Sequence, residues 1–174
     1  MKTVTVGFLG CGNVGCGVWE LLSGFSHELI HRNDLKIIIK KVLVRDVNKR
    51  RNADVPRAIL TTDPEEVLSD PEISIVVEFM GGEQPAAEYM IRALNNKKTV
   101  VTANKVAVAL HWPELQSAAQ ESGVGLYYEA SVCGAIPIIH TLTESLQANR
   151  ITSLMGIING TTNYILSRMT DNGE

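Results

Sequence analysis

Residues 6–22 read VGFLGCGNVGCGVWELL and place four glycines within eight positions, between an apolar run and an apolar amphipathic segment. Glycine lowers both helix and strand propensity, so its concentration here answers to geometry rather than to stability. Gly10, Gly12 and Gly15 form G-x-G-x-x-G where a strand, TVTVGFL, passes into a helix, NVGCGVWELLSGFSHELI. At such a junction the first glycine permits a tight turn and the second lets the backbone approach a pyrophosphate. The third lets the helix pack closely on the strand. Free N–H groups at the helix start, at Asn13 and Val14, then face the phosphates. Gly17 reads as a further close-packing position.

Working outward, apolar periodicity alternates between strand and helix with no internal repeat. LKIIIKKVLV is a second strand, bent or bulged where its pattern changes phase at Lys40 and Lys41. A short helix lies within TTDPEEVLSDPE. ISIVVEFM is an apolar strand of the kind buried on both faces. QPAAEYMIRALNNKK and HWPELQSAAQESG read as helices, TVVTA and GLYYEA as strands. Strands separated by helices imply right-handed βαβ units, hence an α/β, Rossmann-type, doubly wound and mainly parallel sheet.

Composition narrows the function. The chain's 174 residues suffice for one well-cored domain, or for one domain and the opening of another. A formal charge of −3, with no long Lys/Arg run, excludes an electrostatic footprint for nucleic acid or an anionic membrane. No apolar stretch reaches the length of a membrane span, and MKTVTVGF lacks the form of a signal peptide, so a cytoplasmic location is expected. Cys11, Cys16 and Cys133 show neither CxxC nor zinc-ligand spacing and read as reduced thiols in tight packing. His27, His31, His111 and His140 show no metal-ligand spacing with one another.

The second strand ends in VLVRDVNKRR (42–51), where a dinucleotide fold reaches the adenine ribose. Arg45 takes the strand-end position, with Asp46 beside it and Lys49, Arg50 and Arg51 beyond. A guanidinium can grip a 2′-phosphate through two parallel hydrogen bonds, so the cluster favours NADP(H), while Asp46 leaves NAD(H) open.

Three further stretches, VVTANK (100–105), YEASVCGAIPII (128–139) and GIINGTTNYILSRM (156–169), join the glycine turn and the VRD strand end. Together they resemble the N-terminal part of homoserine dehydrogenase, over essentially the whole chain. That resemblance implies reduction of aspartate 4-semialdehyde to homoserine with NADPH or NADH, on the route to threonine, methionine and isoleucine, by a homo-oligomer as the complete enzyme. It implies that Lys105, ending TANK at the carboxyl end of a strand, sits near nicotinamide and substrate, where a cation could stabilise a developing alkoxide. Thr102 and Asn104 would shape the same loop, and Met80 and Gly81 would cover the cofactor's middle.

The resemblance also implies a monovalent cation, commonly sodium, held by main-chain carbonyls at Glu129, Val132, Gly134 and Ile136. It divides the chain into a nucleotide-binding domain at 1–134 and the beginning of a catalytic domain at 135–174. In that second part Thr161 or Thr162 could cap a helix. The family's proton-transfer residues would lie downstream, so these residues alone are expected to bind cofactor without turnover, with apolar side chains such as Ile157, Tyr164, Ile165, Leu166 and Met169 left in water. A stand-alone NAD(P)-sensing module without catalysis is the alternative.

Overall fold

The computed structural model describes residues 1–24, 28, 32, 34–157 and 159–173. His27, His31 and the end of the first expected helix lie outside the described residues. The chain divides into two units, Met1–Gly134 and Ala135–Glu174.

In the first unit, β1 (Lys2–Leu9), β2 (Leu35–Leu43), β3 (Leu60–Thr61), β4 (Ile75–Glu78), β5 (Thr99–Thr102) and β6 (Leu126–Tyr127) form one sheet in the order β3-β2-β1-β4-β5-β6. Every pairing is parallel. Its helices are α1 (Asn13–Gly24), α2 (Glu65–Leu68), α3 (Ala86–Asn95), α4 (Lys105–Leu110) and α5 (Trp112–Ser122). This is the doubly wound order, in which connections leave β1 and β4 in opposite directions and open a crevice at their carboxyl ends.

Both faces of the sheet are covered, which explains why β4 reads as an unbroken apolar run. Val6 and Phe8 of β1 and Val42 of β2 pack with Val18, Trp19 and Leu22 of α1. Leu9, Val76 and Val100 pack on the opposite face with Met90, Leu94 and Leu115 of α3 and α5. Helix α3 buries Ala86, Ala87, Met90, Ala93 and Leu94, an apolar stripe at helical spacing whose alanines allow close approach to the sheet. Phe8 and Phe79 meet edge to face with ring centroids 5.2 Å apart, tying β1 to the turn after β4.

The phase change in β2 is a bulge: Val6 lies opposite Ile39 and Gly7 opposite Lys41, which leaves Lys40 as the extra residue. Four points differ from the sequence reading. β3 was not foreseen, being only two residues long, and GLYYEA contributes only Leu126–Tyr127 before Glu129–Ser131 turn into a 3-10 helix. Helix α4 was also missed, because KVAVAL is rich in β-branched residues; Lys105 is therefore the first residue of a helix, three positions beyond the strand end at Thr102. A Cβ added at Gly17 would meet nothing within 4 Å, so that glycine is not required for packing.

In the second unit, α6 (Ile138–His140) continues as a π-helical turn, Thr141–Ser145, and α7 spans Gly160–Asn172. Asn159 caps α7, its side-chain oxygen accepting from the Thr162 N–H at 2.8 Å, rather than Thr161 or Thr162. Ile157, Tyr164, Ile165, Leu166 and Met169 are exposed. Among the described residues no helix is long and apolar enough to cross a membrane.

Ion pairs fasten α2 to its neighbours. Lys40, the bulge residue, reaches Asp70 at 2.6 Å and Glu72 at 2.8 Å, while Lys41 pairs with Glu66 and Arg92 of α3 with Glu65. Hydrogen bonds from these cations hold the carboxyls of Glu65, Glu66 and Asp70 below their ordinary values. A depressed carboxyl contributes stability above its unfolded pKa and loses it as the pH falls through the folded value. The contribution is therefore complete above about pH 5 and fades below about pH 4. The urea midpoint should fall between pH 5 and pH 3, and Arg92→Leu should reduce that fall; an identical fall in the variant would remove the Glu65 pair from the account.

Candidate dinucleotide-binding site

The site is built at the end of β1. Gly10 has φ +99°, a conformation that side-chain-bearing residues rarely adopt, and its N–H donates to the Leu43 carbonyl at 2.9 Å. A Cβ there would stand 3.1 Å from the main-chain carbon of Phe79, and one at Gly15 would stand 3.1 Å from the Gly10 oxygen. These two glycines let α1 and the turn after β4 close on β1. Gly12 differs, because a Cβ there would meet nothing within 4 Å. Its face is open, as a ligand-approach position requires. The first turn of α1 carries no acidic residue, so its N–H groups and dipole are available to an anion.

Beside this turn lies a cavity of about 610 Å³ lined by Gly10, Gly12 and Asn13, by Arg45 and its neighbours after β2, and by Met80, Pro85 and Tyr89 beyond β4. Of the other expected cofactor residues, Gly15 is buried beneath the turn, Val14 and Gly81 are exposed, Thr102 is buried and Lys105 is exposed; none of them lines the cavity. The cavity's size, its glycine floor and its cationic rim fit a dinucleotide.

The basic loop separates into two parts. Arg51 donates to the Lys49 carbonyl at 2.8 Å and the Asp46 carbonyl at 2.7 Å, closing residues 46–51 on themselves, while its buried Nε has no hydrogen-bond partner among the described residues. The Asp46 carboxylate accepts from the Asn48 N–H at 2.8 Å and so braces the same loop. Arg45, Lys49 and Arg50 line the cavity with side chains that make no hydrogen bond or ion pair among the described residues.

Cys11 and Cys16 also line the cavity, their sulfurs 3.7 Å apart. Burial, with the Cys16 hydrogen bond, pushes the Cys11 thiol up to about 11, so it stays protonated and unreactive near neutrality. Cys133 is exposed with φ 54°, which corrects the expectation of tight packing for all three cysteines. His111 meets Glu83 at 3.0 Å and His140 meets Glu144 at 3.3 Å. No cluster of three or more His, Cys, Asp or Glu among the described residues is placed to hold a metal.

The Glu129 carbonyl accepts from the Val132 N–H at 3.1 Å, and the Ile136 carbonyl, in the second unit, accepts from Ile138 at 2.9 Å. Gly134 has φ 62°, a conformation suited to glycine.

Around Lys105 the sequence left one residue unnoticed. Glu78, the last residue of β4, is fully buried. Its Oε1 accepts from the Met80 N–H at 2.6 Å and its Oε2 from the Thr102 hydroxyl at 2.6 Å. Asn104 caps α4 through the Ala107 N–H at 3.1 Å and donates from Nδ2 to the Gly82 carbonyl at 2.7 Å. The available signal was a lone carboxylate ending an apolar strand. Its meaning depends on the parallel register that sets Glu78 opposite Thr102.

A doubly wound sheet with a glycine turn, a free helix N-terminus and a cation-rimmed cavity at its carboxyl edge defines a dinucleotide-binding protein. Comparison with known proteins narrows that class. The sequence profile described as "Homoserine dehydrogenase, NAD binding domain" matches residues 10–129, and that described as "Homoserine dehydrogenase" matches residues 137–174. The chain belongs to the homoserine dehydrogenase family.

The homoserine dehydrogenase of Bacillus subtilis is 46% identical over 169 residues, covering 97% of this chain and 39% of that protein. The one from Synechocystis sp. is 48% identical over 173 residues, covering 98% of this chain and 39% of that protein. The crystal structure of a homoserine dehydrogenase from Thiobacillus denitrificans matches with a TM-score of 0.86 at 46% identity, over 100% of this chain and 40% of that one. A hyperthermophilic archaeal homoserine dehydrogenase in complex with NADPH shares the fold, with a TM-score of 0.65 at 21% identity over 81% of this chain and 48% of that one. The chain thus spans about two fifths of the length of the curated relatives it matches.

Replacing Gly10 by alanine should lower unfolding stability by about 2 kcal/mol, through strained φ and contact with the Phe79 main chain. Urea denaturation checks this; a loss under about 0.5 kcal/mol, the usual range for a neutral surface change, would mean that the turn can relax.

Proposed function

We propose that this chain is the nucleotide-binding portion of an enzyme that interconverts aspartate 4-semialdehyde and homoserine, using NADP(H) in preference to NAD(H). The observation that carries the cofactor preference is the Arg45 side chain, which lines the cavity beside Lys49 and Arg50 and has no hydrogen-bond or ion-pair partner among the described residues. A guanidinium without an internal partner has its planar fork free for a 2′-phosphate, and the neighbouring charges add to the attraction. Family membership supports the substrate assignment.

In this reading the N–H groups of Asn13, Val14 and Gly15 hold the pyrophosphate, with Gly12 leaving room for it. Met80 and Gly81 form the loop over the middle of the cofactor, and Thr102 shapes the turn beyond β5. When bound, the nicotinamide supplies the hydride that the reaction transfers. Lys105, exposed at the first position of α4, orients the substrate and offers positive charge to the oxygen that becomes an alkoxide. That stabilisation is largest in the transition state, so it acts on turnover more than on binding.

Calorimetric titration of the 174-residue chain with NADPH and with NADH tests the cofactor preference. Arg45→Ala should weaken NADPH by roughly 5- to 150-fold, the equivalent of about 1–3 kcal/mol for a lost charge-assisted hydrogen bond, and leave NADH within about twofold. Equal losses for both cofactors would show that Arg45 does not read the 2′-phosphate.

A further inference from the structure

The buried carboxylate of Glu78 is not itself an expected cofactor contact, yet it bonds two residues that are, Met80 and Thr102. It is fully buried, and no Lys or Arg among the described residues reaches it. Its partners are all neutral donors: the Met80 N–H and the Thr102 hydroxyl, each at 2.6 Å, with the Asn104 amide at 3.4 Å. Burying a carboxyl without a cation is costly, and an apolar residue at the end of this strand would avoid that cost. What the carboxyl gains is a junction between two loops.

The bonds around it run in a connected path. The Thr102 hydroxyl, while donating to Glu78, accepts from the Asn104 N–H at 3.0 Å. Asn104 then spans from the Gly82 carbonyl to the Ala107 N–H, and the next residue in sequence is Lys105. The loop Met80–Gly82 carries two consecutive glycines at positive φ, Gly81 at 71° and Gly82 at 74°, so its own backbone gives it little stiffness. The turn 103–104 similarly lacks ladder partners beyond the Ala103 N–H, which donates to the Glu78 carbonyl at 3.2 Å. Glu78 therefore holds both turns through its side chain and its main chain at once.

We infer that Glu78 is a positioning residue: it clamps the turn that carries Lys105 to the loop Met80–Gly82 and thereby fixes where the Lys105 ammonium stands. The clamp itself is read from this chain, whereas its effect on catalysis rests on the proposed reaction. Glu78→Gln keeps the shape but removes the charge and replaces one of the two acceptor oxygens by a donor, so the Met80 N–H and the Thr102 hydroxyl can no longer both donate to charged oxygens and the path is weakened.

Two measurements test it separately. In the 174-residue chain, Glu78→Gln should speed hydrogen exchange at the Ala107 and Met80 amides at least tenfold, with exchange in β1 unchanged; unchanged exchange at Ala107 and Met80 would overturn the clamp. In the catalytically complete protein, Glu78→Gln should lower kcat at least tenfold, and adding it to Lys105→Ala should cause no further loss of kcat. A fully additive loss would show that Glu78 does not act through Lys105 and overturn the catalytic part.

Should Glu78→Gln fail to fold, Thr102→Val removes the Thr102 link from the other side and should speed exchange at Ala107, with Thr102→Ser restoring it; a silent Thr102→Val would overturn the clamp. If exchange responds as expected but the wild-type complete protein does not oxidise homoserine, the proposed reaction fails and the clamp stands.

Discussion

Two main-chain approaches at the end of β1 govern everything above them. An added Cβ at Gly10 would press on the Phe79 backbone, and one at Gly15 would press on the Gly10 oxygen, each at 3.1 Å. Only glycine at both places lets β1, α1 and the turn after β4 converge at one point. Phe79 secures that point from the apolar side, with its N–H bonded to the Leu9 carbonyl at 2.8 Å and its ring against Phe8. From the convergence follow the mouth of the cavity, the direction in which the α1 dipole points, and the placement of Met80 at the cavity wall. The same crossing therefore serves fold and ligand, and within the glycine fingerprint it is Gly12 where stability and binding can be separated.

The site divides into three regions with different physical demands. The glycine turn offers backbone donors and the field of a helix, which suit a phosphate of any dinucleotide. The loop after β2 supplies cationic side chains, with Arg51 and Asp46 used to brace the loop and Arg45 at its rim without a partner among the described residues. The ends of β4 and β5 are different again: a buried carboxyl, a hydroxyl and an amide hold one another in fixed geometry. Reaction chemistry needs such rigidity more than phosphate binding does, because a misplaced catalytic charge loses much of its effect on the transition state.

How much of this was legible depends on the range of the interactions involved. The glycine turn and β1 could be read because G-x-G-x-x-G and a β-branched run are local signals, and the bulge in β2 showed as a phase change at Lys40 and Lys41. Helix α4 was hidden because its valines favour strand on propensity, while the feature that starts it, the Asn104 cap, is a single side-chain bond. The two-residue β3 exists only through its pairing with Val42 and Leu43. Glu78 illustrates the limit most plainly: a glutamate ending an apolar strand says little until the parallel register sets Thr102 opposite it. Basic residues 45–51 could be recognised as a cluster, but their division into bracing and free cations required the folded loop.

Gly12 offers the most direct test that the turn is a dinucleotide site rather than a structural feature. It lines the cavity, and a Cβ there would meet no neighbour within 4 Å, so a side chain at this position should fill ligand space without disturbing the protein. The measurement is a calorimetric titration of NADPH into the wild-type chain and into Gly12→Leu, alongside urea denaturation of both. The account predicts saturable one-to-one binding in the wild type, loss of at least about 100-fold in the variant, and unfolding stability within about 0.5 kcal/mol, the usual range for a change that touches nothing. NADPH affinity in Gly12→Leu equal to that of the wild type, with the fold intact, would contradict it.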